Sequence, residues 1–299
     1  MTDQDVSSGP RFAFVTGTGR CGSSLIQEVL ARHPDVGFLS NVDDLVPLRG
    51  MAGSRNNSVY RHIPAAFTQK GRVRYAPSEG YRALEREVSP LVVAPYRDLT
   101  AADVTPWLET RFRDFFAGRA ASQGKPVFLH KFTGWPRTGF IQEIFPEARF
   151  IHVVRDGRAV ANSFLQTSWW QGFAGPPAWG WGPLPAGYAE EWEESGRSFV
   201  LLAGLHWKML EDAARESASA VDPARWMQVR YEDFVGDPRG RLSEMLDVLG
   251  LSWDPTFEAQ LEKQTFGRGR THAYMKDLTP SQVKLLDASL GDHLKRLGY

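Results

Sequence analysis

Buried apolar runs alternate with amphipathic stretches along most of this chain. Four runs are rich in apolar residues over a length typical of strands buried within a sheet. They cover residues 12–16, 127–132, 149–154 and 226–230. Apolar residues at helical spacing lie between them. This alternation predicts an α/β fold of three layers, in which helices flank a central, mostly parallel sheet.

Capping residues mark several helix boundaries. Thr105 and Thr279 each precede a proline, and this Thr-Pro pair predicts an N-cap followed by the first helical residue. Asp156 is predicted to cap the helix that follows the third strand. Further helices are predicted over residues 23–32, 137–145 and about 188–216, and the last helix is predicted to end near Leu297.

Two parts of the chain do not follow this alternation. Residues 41–99 mix Pro, Gly, Arg and Tyr without periodicity, and we expect irregular structure there. Residues 168–187, the aromatic loop, contain four Trp, five Gly and four Pro. We predict a flexible tail over 1–10 and a single domain over 11–299, with substrate-side excursions at 41–125 and 168–200.

Composition describes a globular protein without a strong net charge. Of the 299 residues, 42% are hydrophobic, which suffices for a sizeable core. The 35 basic and 35 acidic residues cancel, so net charge does not indicate binding to nucleic acid or a membrane surface.

A single cysteine excludes an intramolecular disulfide and a cysteine metal cluster. The polar N-terminus is not a secretory signal, and the longest apolar run, residues 199–205, is too short to span a membrane. We expect a soluble, cytoplasmic protein.

A glycine-rich loop follows the first strand and precedes the first helix. Residues 17–24 read GTGRCGSS. Their main-chain N–H groups and the positive end of the helix together form a site for an anion. The spacing from Gly17 to Gly22 matches the loop of nucleoside-triphosphate enzymes, but Ser23 replaces the lysine that reaches the terminal phosphates. The positive charge lies within the loop instead, at Arg20. This argues against a kinase or an ATPase.

A second candidate site follows the third strand. Arg155 ends that strand, and Ser163 lies two turns into the next helix. Open α/β sheets bind ligands at the carboxyl ends of their strands. An arginine holds a phosphate with two hydrogen bonds, and a serine hydroxyl adds another. The pair therefore predicts a phosphate site.

The two motifs together resemble those of sulfotransferases that use 3′-phosphoadenosine 5′-phosphosulfate (PAPS). GTGRCGSSLIQEVLARHPDV is similar to their 5′-phosphosulfate loop, and VVRDGRAVANS is similar to their 3′-phosphate motif. HKF…FPEARFIHVVRDGRA resembles the tyrosylprotein branch and related bacterial enzymes, and VRYEDFVGDP matches the Y-E-D stretch of the superfamily. The resemblance covers nearly the whole chain except roughly 41–125 and 168–200. It implies a P-loop-like fold and sulfuryl transfer from PAPS to a hydroxyl, with adenosine 3′,5′-bisphosphate as product and no metal.

The resemblance also implies roles for individual residues. Arg20 and Lys131 are expected to stabilise charge on the leaving nucleotide. The 3′-phosphate is expected on Arg155 and Ser163, and the adenine beside Tyr231. The 5′-phosphosulfate is expected on Gly19, Arg20, Cys21, Gly22, Ser23 and Ser24. Arg268 and Arg270 match a late basic loop over the 3′-phosphate, and an ordinary solvated loop explains them equally well.

These motifs do not define the general base. The cytosolic branch uses the histidine of a K-T-H triplet, but the triplet here is Lys131-Phe132-Thr133. His130 is expected to point to the opposite face of its strand. The tyrosylprotein branch uses a glutamate, at a position that falls near Asn41. A carboxylate with a raised pKa can deprotonate a hydroxyl, so we expect Asp43 to be the base, with Asp44 and His130 as alternatives.

The aromatic loop is the expected acceptor side. Its rings suit a small molecule, a glycoside or a lipid, and packing of the loop onto the core explains the same residues equally well. Two other functions stay open. One is a P-loop nucleotide kinase, and the other is a binding protein that keeps the nucleotide pocket without a base.

Overall fold

The computed structural model describes residues 9–46, 52–64, 75–93, 96–267 and 271–299. Within these ranges, five parallel strands form one sheet in the order β2-β3-β1-β4-β5. The strands are β1 (Arg11–Gly17), β2 (Val36–Phe38), β3 (Val127–Lys131), β4 (Arg149–Val154) and β5 (Trp226–Arg230). The predicted parallel sheet is confirmed. Because the strands are parallel, the loops after β1, β3 and β4 meet at one edge of the sheet.

Helices pack on the sheet and on one another. In chain order the described α-helices are α1 (Ser23–Leu30), α2 (Asn41–Leu45), α3 (Ala52–His62), α4 (Tyr81–Glu87), α5 (Pro90–Val93), α6 (Pro106–Gln123), α7 (Thr138–Ile144), α8 (Gly157–Phe164), α9 (Ala186–Glu194), α10 (Phe199–Ala220), α11 (Tyr231–Gly236), α12 (Pro238–Leu249), α13 (Pro255–Leu261), α14 (Tyr274–Asp277) and α15 (Pro280–Arg296). Single 3₁₀ turns cover Ala101–Asp103, Gly172–Ala174 and Pro223–Arg225.

The central strand β1 is buried on both faces, as its apolar sequence predicts. On one face Phe14 packs with Phe128 and Phe150 against α6 and α7. On the other face Ala13 and Val15 pack with α1 and α12. A third apolar cluster joins α8, α10, α15 and part of the aromatic loop. The sheet is thus the middle of three layers.

The predicted helix caps are confirmed. The Thr105 hydroxyl accepts a hydrogen bond from the N–H of Leu108 at 3.2 Å, and Thr279 forms a capping box with Gln282. The Asp156 carboxylate accepts the N–H at the start of α8 at 2.9 Å. This cap fixes the end of α8 that lies next to Arg155.

Two expectations about secondary structure are wrong, and one strand was missed. The short strand β2 was not predicted, because three residues give too little periodicity. The described parts of residues 41–99 contain four helices, α2 to α5. The helix expected over 188–216 is two helices, since Gly196 and Arg197 adopt positive φ angles of 70° and 60° and Ser198 caps α10.

Candidate active site

The glycine-rich loop forms a concave turn between β1 and α1. Gly19, Arg20 and Gly22 have positive φ angles of 83°, 56° and 99°. Gly22 stands at the N-cap of α1 and provides no side-chain cap. A Cβ at Gly22 would lie 2.2 Å from the Tyr231 ring, so only glycine allows this close packing. The first N–H groups of α1 are therefore available for an anion.

The predicted phosphate residues lie together beside this loop. The Arg20 Nε donates to the Ser163 Oγ at 2.8 Å, and the Arg155 Nη1 donates to the Arg20 carbonyl at 3.1 Å. The Arg155 guanidinium also lies over the Tyr231 ring, 4.8 Å from its centre. The tertiary structure thus brings the loop after β1, the end of β4 and α8 together, and the start of α11 joins them through Tyr231.

Lys131 connects the loop to a carboxylate that was not predicted from the sequence. Lys131 ends β3, and its side chain is 4% exposed. Its Nζ donates to the Ser24 Oγ at 2.6 Å and lies 2.7 Å from the Oε1 of Glu79. One ammonium group is therefore shared between the first turn of α1 and Glu79.

Glu79 is held in place by a short connection that precedes α4. Its Oε2 accepts a hydrogen bond from the Tyr81 hydroxyl. Burial alone would raise the pKa of Glu79, but the Lys131 charge and the hydrogen bonds from Lys131 and Tyr81 outweigh it and lower that pKa. Burial and the neighbouring Glu79 raise the pKa of Tyr81, which keeps its hydroxyl protonated. Glu79 is thus an ionised carboxylate at neutral pH.

A cavity of about 740 Å³ lies at the carboxyl ends of β1 and β3. The anion loop contributes Gly19, Arg20, Gly22, Ser23 and Ser24 to its lining, and the aromatic loop contributes residues that include Trp169, Trp179 and Trp181. Glu79 and Lys131 line the same cavity. A ligand bound to the anion loop would therefore share one cavity with these two side chains.

A match to a known family shows the class of protein to which this chain belongs. The model described as "Sulfotransferase family" matches residues 11–255, which include both motifs and the cavity between them. This chain belongs to the sulfotransferase family. The match sets aside the kinase alternative.

Similar proteins agree with the family and with the fold. Omega-hydroxy-beta-dihydromenaquinone-9 sulfotransferases Stf3 of Mycobacterium bovis and Mycobacterium tuberculosis are each 28% identical over 201 residues, which is 64% of this chain. The aligned region is 46% of each relative, so this chain spans less than half of their length. Sulfotransferase STF9 of Mycobacterium avium has a TM-score of 0.61 at 12% identity, covering 96% of this chain and 76% of its own. STF1 of Mycobacterium tuberculosis has a TM-score of 0.55 at 18% identity, covering 95% and 78%.

The carboxylates expected to supply a base make structural hydrogen bonds in this chain. Asp43 belongs to the capping box of α2, and its oxygens accept from the Ser40 N–H at 2.9 Å, the Ser40 hydroxyl at 2.7 Å and the Asn56 amide at 2.7 Å. Asp44 accepts the N–H of Ala83 at 2.8 Å and so fixes α4. Neither lines the cavity that contains Glu79.

His130 occupies the opposite face of β3 from Lys131, as predicted. Its ring packs on Phe116 and Phe132 at 5.1 and 4.8 Å between ring centres. Burial lowers the pKa of His130 to about 3, so the ring stays neutral. His130 is a core residue and does not line the cavity.

Replacing Asp43 by asparagine is expected to change stability and not chemistry. The asparagine loses a charged acceptor for three buried donors, which costs on the order of 1–3 kcal/mol. Urea unfolding would measure that loss, and steady-state kinetics of the folded variant should give a kcat close to that of the parent. A normal unfolding free energy with a greatly reduced kcat would instead support Asp43 as the base.

Three further residues were predicted from sequence to contact the nucleotide, namely Cys21, Arg268 and Arg270. Cys21 is buried in the core beside α1, and burial raises the pKa of its thiol, so it offers only its main chain to a ligand. Arg268 and Arg270 lie outside the described residues.

Within the described ranges, no group of three or more His, Cys, Asp or Glu side chains could hold a metal ion. No described helix is long and apolar enough to cross a bilayer.

The aromatic loop is partly core and partly surface. Trp170 and Trp179 are 5% and 2% exposed. The indole N–H of Trp170 donates to the Nδ1 of His206, and the Trp179 ring packs against the same buried His206 ring. Trp169 and Phe173 are 46% and 70% exposed. The loop is therefore anchored by some of its rings, and other rings are left at the surface.

Glu79 was missed because no local pattern identifies it. The Ser78 N–H donates to the Leu39 carbonyl at 2.8 Å, and Ser40 forms a bridge to Pro77. These contacts place Glu79 beside the segment in which the sequence suggested a base. A lone glutamate between serine and glycine gives no periodicity or spacing from which this docking could be read.

Proposed function

We propose that this sulfotransferase transfers the sulfuryl group of PAPS to an acceptor hydroxyl, with Glu79 as the general base. The observation that supports this proposal is the position of Lys131, which contacts Ser24 on the donor side and Glu79 on the acceptor side. The names of the mycobacterial relatives describe a hydroxylated menaquinone as their substrate, which agrees with a hydroxyl acceptor.

The residues around the loop fit the donor nucleotide. The Arg155 Nε is buried and has no hydrogen-bond partner within the described ranges, as expected for a group that awaits a phosphate. We propose that Arg155 and Ser163 hold the 3′-phosphate, that Gly19 to Ser24 hold the 5′-phosphosulfate and that Tyr231 lies beside the adenine. When bound, the donor supplies an activated sulfuryl group on a phosphate leaving group.

Three side chains of this protein would then assist the transfer. Glu79 is placed to accept the proton of the acceptor hydroxyl, since it is ionised and lines the cavity. Lys131 contacts the anion loop and Arg20 belongs to it, so both cations lie where negative charge would develop as the nucleotide leaves. Electrostatic stabilisation of this kind is usually the largest contribution to catalysis. The protein's work is therefore positioning and charge stabilisation, as in phosphoryl transfer.

Replacing Arg155 by alanine is expected to weaken binding of adenosine 3′,5′-bisphosphate by ~1.5–3 kcal/mol, the range for hydrogen bonds to charged groups. Calorimetry would measure this, and it should also show that the parent binds this nucleotide much more tightly than AMP or ADP. Circular dichroism should show an intact fold, because Arg155 lies at the end of β4 and outside the core.

Arg225→Ala is a matched control for that experiment. Arg225 precedes β5 at the opposite edge of the sheet and pairs with the exposed Glu147. Its loss should leave nucleotide affinity unchanged. Equal affinities of the parent for AMP and adenosine 3′,5′-bisphosphate would refute the proposed donor, and tight binding without any turnover would support the binding-protein alternative.

A further inference from the structure

Tyr231 is the first residue of α11, and its ring forms part of the donor side. The ring lies against Gly22 of the anion loop, and the Arg155 guanidinium lies 4.8 Å from its centre. Arg230 occupies the N-cap position of this six-residue helix and provides no side-chain cap. The position of the Tyr231 ring therefore depends on what the side chains next to it contact.

Tyr299 contacts both neighbours of Tyr231 in the chain. Its hydroxyl donates to the Glu232 Oε2 at 2.7 Å, and the Arg230 guanidinium lies over its ring, 4.4 Å from the centre. The Oε1 of Glu232 is buried and has no hydrogen-bond partner among the described residues. The Tyr299 hydroxyl is thus the donor on which this half-buried carboxylate relies.

Tyr299 is itself fixed to α15, which also contacts α8. The Tyr299 N–H donates to the Leu294 carbonyl at 2.9 Å, and Leu294 is buried in the third apolar cluster. On the same helix, the Asp287 Oδ1 accepts a hydrogen bond from the Arg158 Nη1 of α8 at 2.8 Å. Because α8 carries Ser163, α15 connects the helix of the predicted phosphate site to the start of α11.

The Tyr299 hydroxyl stays protonated in this environment. Burial raises its pKa, and the charge of the neighbouring Glu232 raises that pKa further. Since the group does not ionise at neutral pH, its hydrogen bond to Glu232 persists over the range in which activity is measured. The contact is therefore a permanent part of the structure around Tyr231.

We infer that Tyr299 is a positioning residue for the donor nucleotide. By holding Arg230 and Glu232, it fixes the Tyr231 ring that lies between them in the chain. This inference rests on the proposed function, in which Tyr231 lies beside the adenine and Arg155 holds the 3′-phosphate. Tyr299 acts on nucleotide affinity through Tyr231 and does not act on the acceptor.

Replacing Tyr299 by alanine is expected to weaken binding of adenosine 3′,5′-bisphosphate by roughly tenfold, a typical effect for a residue that acts on a site through a neighbour. Tyr299→Phe keeps the ring under Arg230 and loses only the hydrogen bond to Glu232, so its effect should be smaller, about threefold. Calorimetry would measure both affinities. In steady-state kinetics the donor KM should rise by the same factors, while kcat and the acceptor KM stay close to those of the parent.

Tyr188→Ala is the matched control. The Tyr188 hydroxyl donates to the Asp212 Oδ2, and the Lys208 Nζ lies over its ring, 4.3 Å from the centre. Tyr188 therefore makes the same two kinds of contact as Tyr299, but it lies on α9 and does not line the cavity beside the anion loop. Its loss should lower the unfolding free energy and leave nucleotide affinity unchanged.

A double-mutant cycle tests whether Tyr299 acts through Tyr231. Tyr231→Ala alone should weaken nucleotide binding. Adding Tyr299→Ala to it should weaken binding little further, because the effects of residues that are coupled are not additive in free energy. Two independent contributions would instead multiply the dissociation constant.

The outcomes separate this inference from the proposed function. It is overturned if Tyr299→Ala and Tyr299→Phe bind the nucleotide as tightly as the parent, if Tyr188→Ala weakens binding as much as Tyr299→Ala, or if the two effects multiply in the cycle. Should circular dichroism show that Tyr299→Ala does not fold, Tyr299→Phe gives the same comparison, with Tyr188→Phe as its control. A parent that does not bind adenosine 3′,5′-bisphosphate would overturn the proposed function, and this inference with it.

Discussion

Glu79→Gln is expected to lower kcat by roughly 10²–10⁴-fold, the range that general base catalysis contributes. Glutamine keeps the size of the side chain, but it cannot take a proton from the acceptor. Its single amide oxygen can also accept from only one of Lys131 and Tyr81, which donate to different oxygens of Glu79. The acidic limb of the kcat/KM profile should disappear, because that limb reports ionisation of the base in the free enzyme. Steady-state kinetics across pH would measure both effects.

Glu85→Gln is the control for this variant. Glu85 is exposed on α4, close in sequence to Glu79, and does not line the cavity. Its loss should leave kcat and the pH profile unchanged. An acceptor with a more acidic hydroxyl, such as a nitrophenol, should partly restore turnover in Glu79→Gln, because it needs less help to lose its proton. A near-normal kcat in Glu79→Gln would show that another group is the base.

Lys131→Ala is expected to lower kcat by roughly 10²–10³-fold with little change in acceptor KM. The ammonium stabilises charge that develops only in the transition state, so its loss affects kcat and not ground-state binding. A unit charge 4 Å away is worth about 4 kcal/mol at an effective dielectric of 20, before desolvation is subtracted. Steady-state kinetics with saturating donor would separate kcat from KM.

The same variant should also shift the pH dependence. Lys131 holds the pKa of Glu79 down, and without it burial dominates and that pKa rises. Glu79 must be ionised to act, so a raised pKa means that activity is lost at a higher pH as the solution is acidified. The acidic limb should therefore move to higher pH in Lys131→Ala, whereas in Glu79→Gln it should disappear.

Lys125→Ala serves as the control for Lys131→Ala. Lys125 precedes β3 at the opposite end of the strand from Lys131, away from the cavity. Its loss should leave kcat and the acidic limb unchanged. An acidic limb that stays in place in Lys131→Ala would show that the ion pair with Glu79 does not set the pKa of the base.

Much of the donor side could be predicted from sequence because its signals are local. Glycine spacing defines the turn after β1, and the apolar run of β4 ends directly at Arg155. Parallel strands bring such strand ends to one edge, so Arg20, Arg155 and Ser163 could be placed together before their 2.8 and 3.1 Å contacts were known. The Thr-Pro caps and the four longer strands follow from the same short-range rules.

The acceptor side was decided by the tertiary structure. Glu79 reaches Lys131 because main-chain hydrogen bonds dock its segment onto residues 39–44, and pairing between distant segments leaves no periodic trace in the sequence. Sequence favoured Asp43 as the base, whereas the structure shows its carboxylate bonded to Ser40 and Asn56. The tryptophans of the aromatic loop likewise look alike in the sequence, but the structure buries Trp170 and Trp179 and exposes Trp169. Sequence by itself determined the parallel α/β sheet and the two loop motifs through local pattern and turn chemistry. Long-range packing alone decided which carboxylate faces Lys131 and which rings line the cavity.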